Sequence, residues 1–240
     1  MNDYVPELPE EKSKKLTAVE VASEGALGAI PFVGSLLAAS LSAFFSATQE
    51  NRTRGWMEEM AEVVEALIDR VEGLEARDLA NDPAFYDAAV AAARIATAAS
   101  ATEKHRALQN ALFNIGMGDG LDADKRAIYL RYVDELTPSH IRFLHFLDNP
   151  TMWFEQHGLA WPSNIMTGGL MNVVEIAFPE WRADEPFLDT IASDLVARGL
   201  IDYPGLRTMM TAAGLTTQRT KAKGREFMAF ISGPFDAEKE

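Results

Sequence analysis

Residues 25–47, GALGAIPFVGSLLAASLSAFFSA, run for 23 positions without a charged side chain. A helix that is apolar all round must be buried in protein or in lipid, so this run constrains the fold more than any other feature. Pro31 divides it, because the residue before a proline is pushed out of helical geometry. A first helix is therefore expected over about 18–30, opened by a capping box of Thr17 and Glu20. The second restarts at 31–34. Within it Gly34, Ala38, Ser42 and Ser46 recur every fourth position, and Ser35, Ala39, Ala43 and Ala47 form the adjacent row. Backbone can approach backbone along such a face. Leu37, Leu41, Phe44 and Phe45 present bulky groups opposite. As a single span the run would reach about 35 Å, enough for a bilayer core of about 30 Å, whereas each arm of a hairpin at Pro31 would fall short. The contact residues expected here are Ile30, Phe32, Gly34, Leu37, Ala38, Leu41, Ser42, Phe44 and Phe45. Their surroundings are the chain's own core, an oligomer or a membrane. Arg52 and Arg54 follow directly, so in a membrane the C-terminal bulk would stay on the cytoplasmic side.

The 240 residues are long enough to bury a core without staples. Cysteine is absent, which removes disulfides, thiolate metal sites and cysteine nucleophiles together. A net charge of −14 opposes whole-surface attraction to nucleic acid or anionic lipid, leaving such binding to local exceptions. No secretion signal is evident, since Glu20 and Glu24 stand between the early lysines and the apolar run. A cytoplasmic protein, membrane-associated at most, is the expectation.

Residues 1–16, with two prolines and many charges, read as a flexible tail. Beyond the apolar run the second helix is expected to continue to about residue 76, with Met60, Val64, Leu67, Val71 and Leu74 as its buried stripe. Asn81-Asp82-Pro83 is a helix start, and the alanine-rich stretch after it suits close helix packing. Leu108, Ala111, Leu112 and Ile115 mark a further helix, with Asn110 and Asn114 on one face, able to bridge to a neighbour. GMGDG at 116–120 reads as a helix-to-helix turn, since phosphate loops follow strands and its aspartates would repel an anion. Helices are expected over 122–136, striped by Ile128, Tyr129, Tyr132, Val133 and Leu136, and over 138–148, opened by Thr137-Pro138. No strand alternation precedes residue 200.

Near the C-terminus, 184–201 reads as an amphipathic helix with Phe187, Leu188, Ile191 and Leu195 inward. Short extended runs around a glycine follow. Thr220 to Gly224 then open a last helix bearing Phe227, Phe230 and Ile231. Over roughly residues 164–232 this order resembles the winged helix, which implies a wing between two helices. The segments IPFVGSLLAA, ALQNALFN and DELTPSHIRFLHFL carry a second likeness, to uncharacterised bacterial helical proteins. Those proteins join an apolar, glycine-bearing N-terminal segment to a helical middle and such a C-terminal module. That resemblance implies architecture and no activity.

Catalytic and metal signatures are not evident. His140 and His145 are five apart, too far round a helix to share a metal ion, and no G-x-S-x-G occurs. The one positive region runs from Arg198 to Arg225, where Arg219, Lys221, Lys223 and Arg225 could touch phosphates. The helix before it carries Glu185, Asp189 and Asp194, which a DNA-reading helix would not favour.

The sequence thus describes a mainly α protein: a helical bundle plus a small C-terminal winged-helix-like module with a β-hairpin. The expected parts are the tail 1–16, a bundle over 17–160 that includes apolar helices 18–50, and the winged module over 161–240. A non-enzymatic interaction, effector or regulatory protein is expected, working through the apolar helices on a protein partner, a second copy or a membrane. The alternative is a nucleic-acid-binding regulator using the basic wing at 219–225. Neither cofactor nor metal is implied.

Overall fold

The computed structural model describes residues 50–162 and 167–236. They fall into two compact units, divided in sequence between Ala93 and Arg94. The tail, the capping box at Thr17 and all nine contact residues of the apolar run, Ile30 to Phe45, lie outside the described residues.

In the first unit, helix α1 spans Glu50–Arg70 and helix α2 spans Ala76–Asn81. Met60, Val64 and Leu67 are buried as their spacing requires, joined by Trp56 and Val63. The helix ends at Arg70 rather than near residue 76. Gly73 takes a φ of +79° in the turn that follows, a conformation glycine adopts without steric cost. Val71 and Leu74 therefore sit beyond the helix and are only half-buried. Helix α3, Pro83–Ala98, starts where Asp82-Pro83 signals it, the Asp82 carboxylate accepting from the Ala84 amide at 2.9 Å.

The second unit contains helices α4 (Thr102–Gly116), α5 (Ala123–Glu135), α6 (Pro138–Asp148), α7 (Pro150–Gln156), α8 (Met171–Ala177) and α9 (Glu185–Ala197). Strands β1 (Thr167–Gly168) and β2 (Met210–Thr211) and helices α10 (Ala212–Leu215) and α11 (Ala222–Ile231) complete it. Helix α11 packs on α4 and α6, α9 packs on α6, and α5 on α4. Tyr129, Tyr132, Phe227 and Phe230 form one aromatic cluster between α5 and α11, with ring centroids 5.5–6.1 Å apart. Phe143, Phe146, Trp153, Phe178 and Trp181 form another around α6.

Side-chain caps fix the helix ends. Asp122 accepts from the Lys125 amide at 2.8 Å and starts α5. Thr137 starts α6, where His140 Nδ1 accepts the Thr137 N–H at 3.2 Å in the place a glutamate would take in a capping box. Asn110 and Asn114 bridge helices as their shared face implies. Asn114 Nδ2 donates to the carbonyls of Ala229, Phe230 and Ser232 at 3.0–3.1 Å, and Asn110 Nδ2 donates to Ile231 O at 3.1 Å. Carbonyls left open at the end of α11 are thereby satisfied. GMGDG is the expected turn, with Asp119 tied to Arg126 at 2.7 Å.

The fold is mainly α, a helical bundle with a small antiparallel β element in its C-terminal part. β1 pairs with β2, Thr167 opposite Thr211 and Gly168 opposite Met210. A winged-helix-like order results: β1, α8, α9, then β2 and α10 within the connection to α11. Three local expectations need correction. Strand β1 precedes residue 200, and two residues are too few to show alternation. Around Gly214 the chain forms the helical turn α10 rather than a second extended run, because Thr211 Oγ1 accepts from the Gly214 amide at 3.2 Å and caps it. Phe187 is 38% exposed, while Leu188, Ile191 and Leu195 are buried. Its ring meets Trp181 edge-to-face, with centroids 6.2 Å apart.

Among the described residues no helix is long and apolar enough to cross a membrane, and no three acidic or imidazole side chains converge as metal ligands.

Candidate functional site

The basic loop leaves α9 at Gly199 and returns to α11 at Lys221. Its base is held by the antiparallel bridge between Ile201 and Thr220, by Asp202 N to Arg219 O at 2.7 Å and by Lys221 N to Leu200 O at 2.9 Å. The returning arm is tied to α6 through Arg219 N to Leu147 O at 2.9 Å. Asp148, at the end of α6, accepts from Gln218 Nε2 at 2.7 Å and from the Thr220 hydroxyl. Arg207 forms a two-pronged ion pair with Glu185 at the start of α9, holding Glu185 below the usual carboxylate range.

The four basic residues of the proposed wing do not converge on one open surface. Arg219 is buried, at 7% exposure. Its guanidinium donates to Thr217 O at 2.7 Å and Gly214 O at 2.5 Å, and contacts Met210 Sδ at 3.1 Å. Lys223 reaches back to Arg198 O at 3.0 Å, closing the end of α9, and donates to Tyr132 Oη at 2.6 Å. A cation so placed favours the negative end of the helix. Arg225 is exposed on one side while donating to Thr220 O at 2.7 Å. Lys221 is exposed, and its ammonium makes no bond among the described residues.

Helix α9 stands where a winged helix would place its recognition helix. Pro186, Phe187, Asp189, Thr190, Ser193, Val196 and Ala197 are its exposed residues, with no lysine or arginine among them. Arg198, at its end, donates to Glu135 at 3.1 Å and to Asp194 O at 3.1 Å. Arg198, Arg207, Arg219 and Lys223 thus serve the module's own framework, and Lys221 alone of the wing's basic residues is left open.

Two further groups of titratable side chains are also structural. His140 faces Asp194 at 3.3 Å. Glu226 accepts from Lys125 at 2.8 Å and Tyr129 at 2.5 Å, which lowers its pKa, while burial raises that of Tyr129. These three border an open cleft of about 400 Å³ with Ile128, Ala222 and Lys223. No local pattern announces this network, because its members lie on two helices far apart in the chain.

Comparison with protein-family models, with curated proteins and with solved structures finds no match to this chain.

Proposed function

We propose that this chain is a non-enzymatic interaction protein, an effector or regulator, whose apolar segment 25–47 makes the contact. The observation that carries this is the charge-free run itself, in which small residues recur every fourth position from Gly34 to Ser46 among the bulky Leu37, Leu41, Phe44 and Phe45. Such a surface is stable only when covered. A second copy of the chain is the proposed cover, since the rows of small residues at Gly34 and Ser35 allow like helices to pack closely.

The described unit supports the same choice over nucleic acid. Arg219 and Lys223 are built inward, and the open face of α9 offers Asp189 and small or apolar side chains rather than cations. Duplex contacts need basic groups along the backbone and forked donors toward the bases.

The test is the mass of the full-length chain in detergent-free buffer by sedimentation, alongside flotation with anionic vesicles, for wild type and the Leu41→Asp/Phe45→Asp double variant. Self-association of wild type that the variant loses is the expected result. Flotation lost in the variant would place the covering surface in lipid instead. A wild-type chain that stays monomeric at all concentrations and never floats would overturn the proposal.

A further inference from the structure

The cap of helix α6 is completed by a histidine. A glutamate or glutamine at this place in a capping box is a permanent acceptor, whereas an imidazole nitrogen accepts only while it carries no proton. The Thr137 N–H points at His140 Nδ1 from 3.2 Å, and a backbone N–H can only donate. Nδ1 is therefore the bare nitrogen. The ring proton belongs to Nε2, 3.3 Å from the Asp194 carboxylate. Thr137 Oγ1 accepts the His140 N–H and also stands 2.8 Å from Nδ1. His140 is buried, at 6% exposure. Among the described residues, Asp194 and Arg198 face it from α9 and Lys104 faces it from α4, while α7 and α11, also packed on α6, add no charge to the set. A charged ring would thus meet one acid and two cations.

We propose that His140 is a proton-sensitive cap, whose protonation turns Nδ1 from acceptor into donor, frees the Thr137 amide and opens the corner between α5 and α6. The contact between Nδ1 and Thr137 Oγ1 survives with its direction reversed, Nδ1–H donating. The Thr137 N–H then faces a donor, and only water can replace its lost acceptor. Asp194 also neighbours Arg198, at 3.7 Å, which ties Glu135 at the end of α5 at 3.1 Å. The end of α9 and the α5–α6 corner therefore respond together. Burial holds His140 below the ordinary imidazole range, so the cap is closed at neutral pH. A ring that resists charge in the closed corner takes its proton more readily in the open one, and falling pH favours opening. None of this depends on what covers segment 25–47.

Nitrogen-15 spectra of the histidine rings and main-chain amides of the full chain, titrated from about pH 7.5 to 5, test this directly. At the upper end His140 should show a bare Nδ1 and a protonated Nε2. Through the His140 titration the Thr137 amide should shift. Protection of the Thr137, His140 and Ile141 amides, corrected for intrinsic exchange, should fall by up to roughly tenfold per pH unit, while Leu112 in α4 keeps its own. His140→Gln supplies a permanent acceptor at the same place, so it should retain the cap and abolish the Thr137 response. Asp194→Asn removes the counter-charge and should move the His140 midpoint to lower pH. A proton on Nδ1 at neutral pH, a Thr137 amide indifferent to the His140 titration, a His140→Gln chain that responds as wild type, or an Asp194→Asn midpoint that stays or rises would overturn the proposal.

Discussion

Gly224 sits at the first turn of α11, pressed against the turn that ends α9. A Cβ at this position would lie 2.1 Å from Leu200 O, a main-chain atom that cannot swing aside. Gly224→Ala is therefore expected to destabilise the fold by about 2–3 kcal/mol, the cost of overpacking a rigid contact. Gly55 offers the opposite case within α1, because no heavy atom lies within 4 Å of an added Cβ. Gly55→Ala should stabilise by roughly 0.5–1 kcal/mol by reducing backbone freedom in the unfolded chain. Urea midpoints of the two variants check both signs. At this scale the sequence was informative where spacing alone decides. Asn110 and Asn114, four apart on an amphipathic helix, had to share a face, and α11 is what they meet. Arg219 was opaque for a physical reason. A long basic side chain can reach water or turn inward, and the choice depends on loop carbonyls whose positions no local pattern encodes.

Among the elements, helix starts were legible because caps are local chemistry. Asp82-Pro83 and Thr137-Pro138 each mark an observed helix. Ends and short elements were less so. Nothing in the stripe through Val71 and Leu74 announces that Gly73 takes a positive φ, and β1 and α10 are too short for any period to show. Helix α6 carries a pH dependence of its own. Burial lowers the pKa of both His140 and His145. Asp194 partly offsets this for His140, where Arg198 and Lys104 add to the lowering, and Asp236 and Asp148 partly offset it for His145. An unfolded chain takes up these protons first, at about pH 6.5. Stability is thus retained above that value and lost as pH falls from it toward the lower folded values. Urea midpoints should drop between pH 7 and 5, and His145→Gln should flatten the slope. An unchanged slope in that variant would show that His145 does not report the burial assigned to it.

At the scale of the whole molecule, a strongly acidic chain uses several of its described cations as internal ties and carries one long uncharged run. Asp119 holds Arg126, Glu185 holds Arg207, and carbonyls hold Lys223 and Arg219. The fold class was readable from periodicity, caps and turns, because each is written within a few residues. Function was not, since the decisive quantity is what covers residues 25–47, and composition cannot name a cover. Hydrogen exchange by mass spectrometry on the full-length chain reads that quantity directly, through peptides spanning 25–47. Protection that rises with protein concentration, while peptides from α4 to α6 stay constant, is the predicted result. Protection independent of both concentration and added vesicles would contradict the central claim.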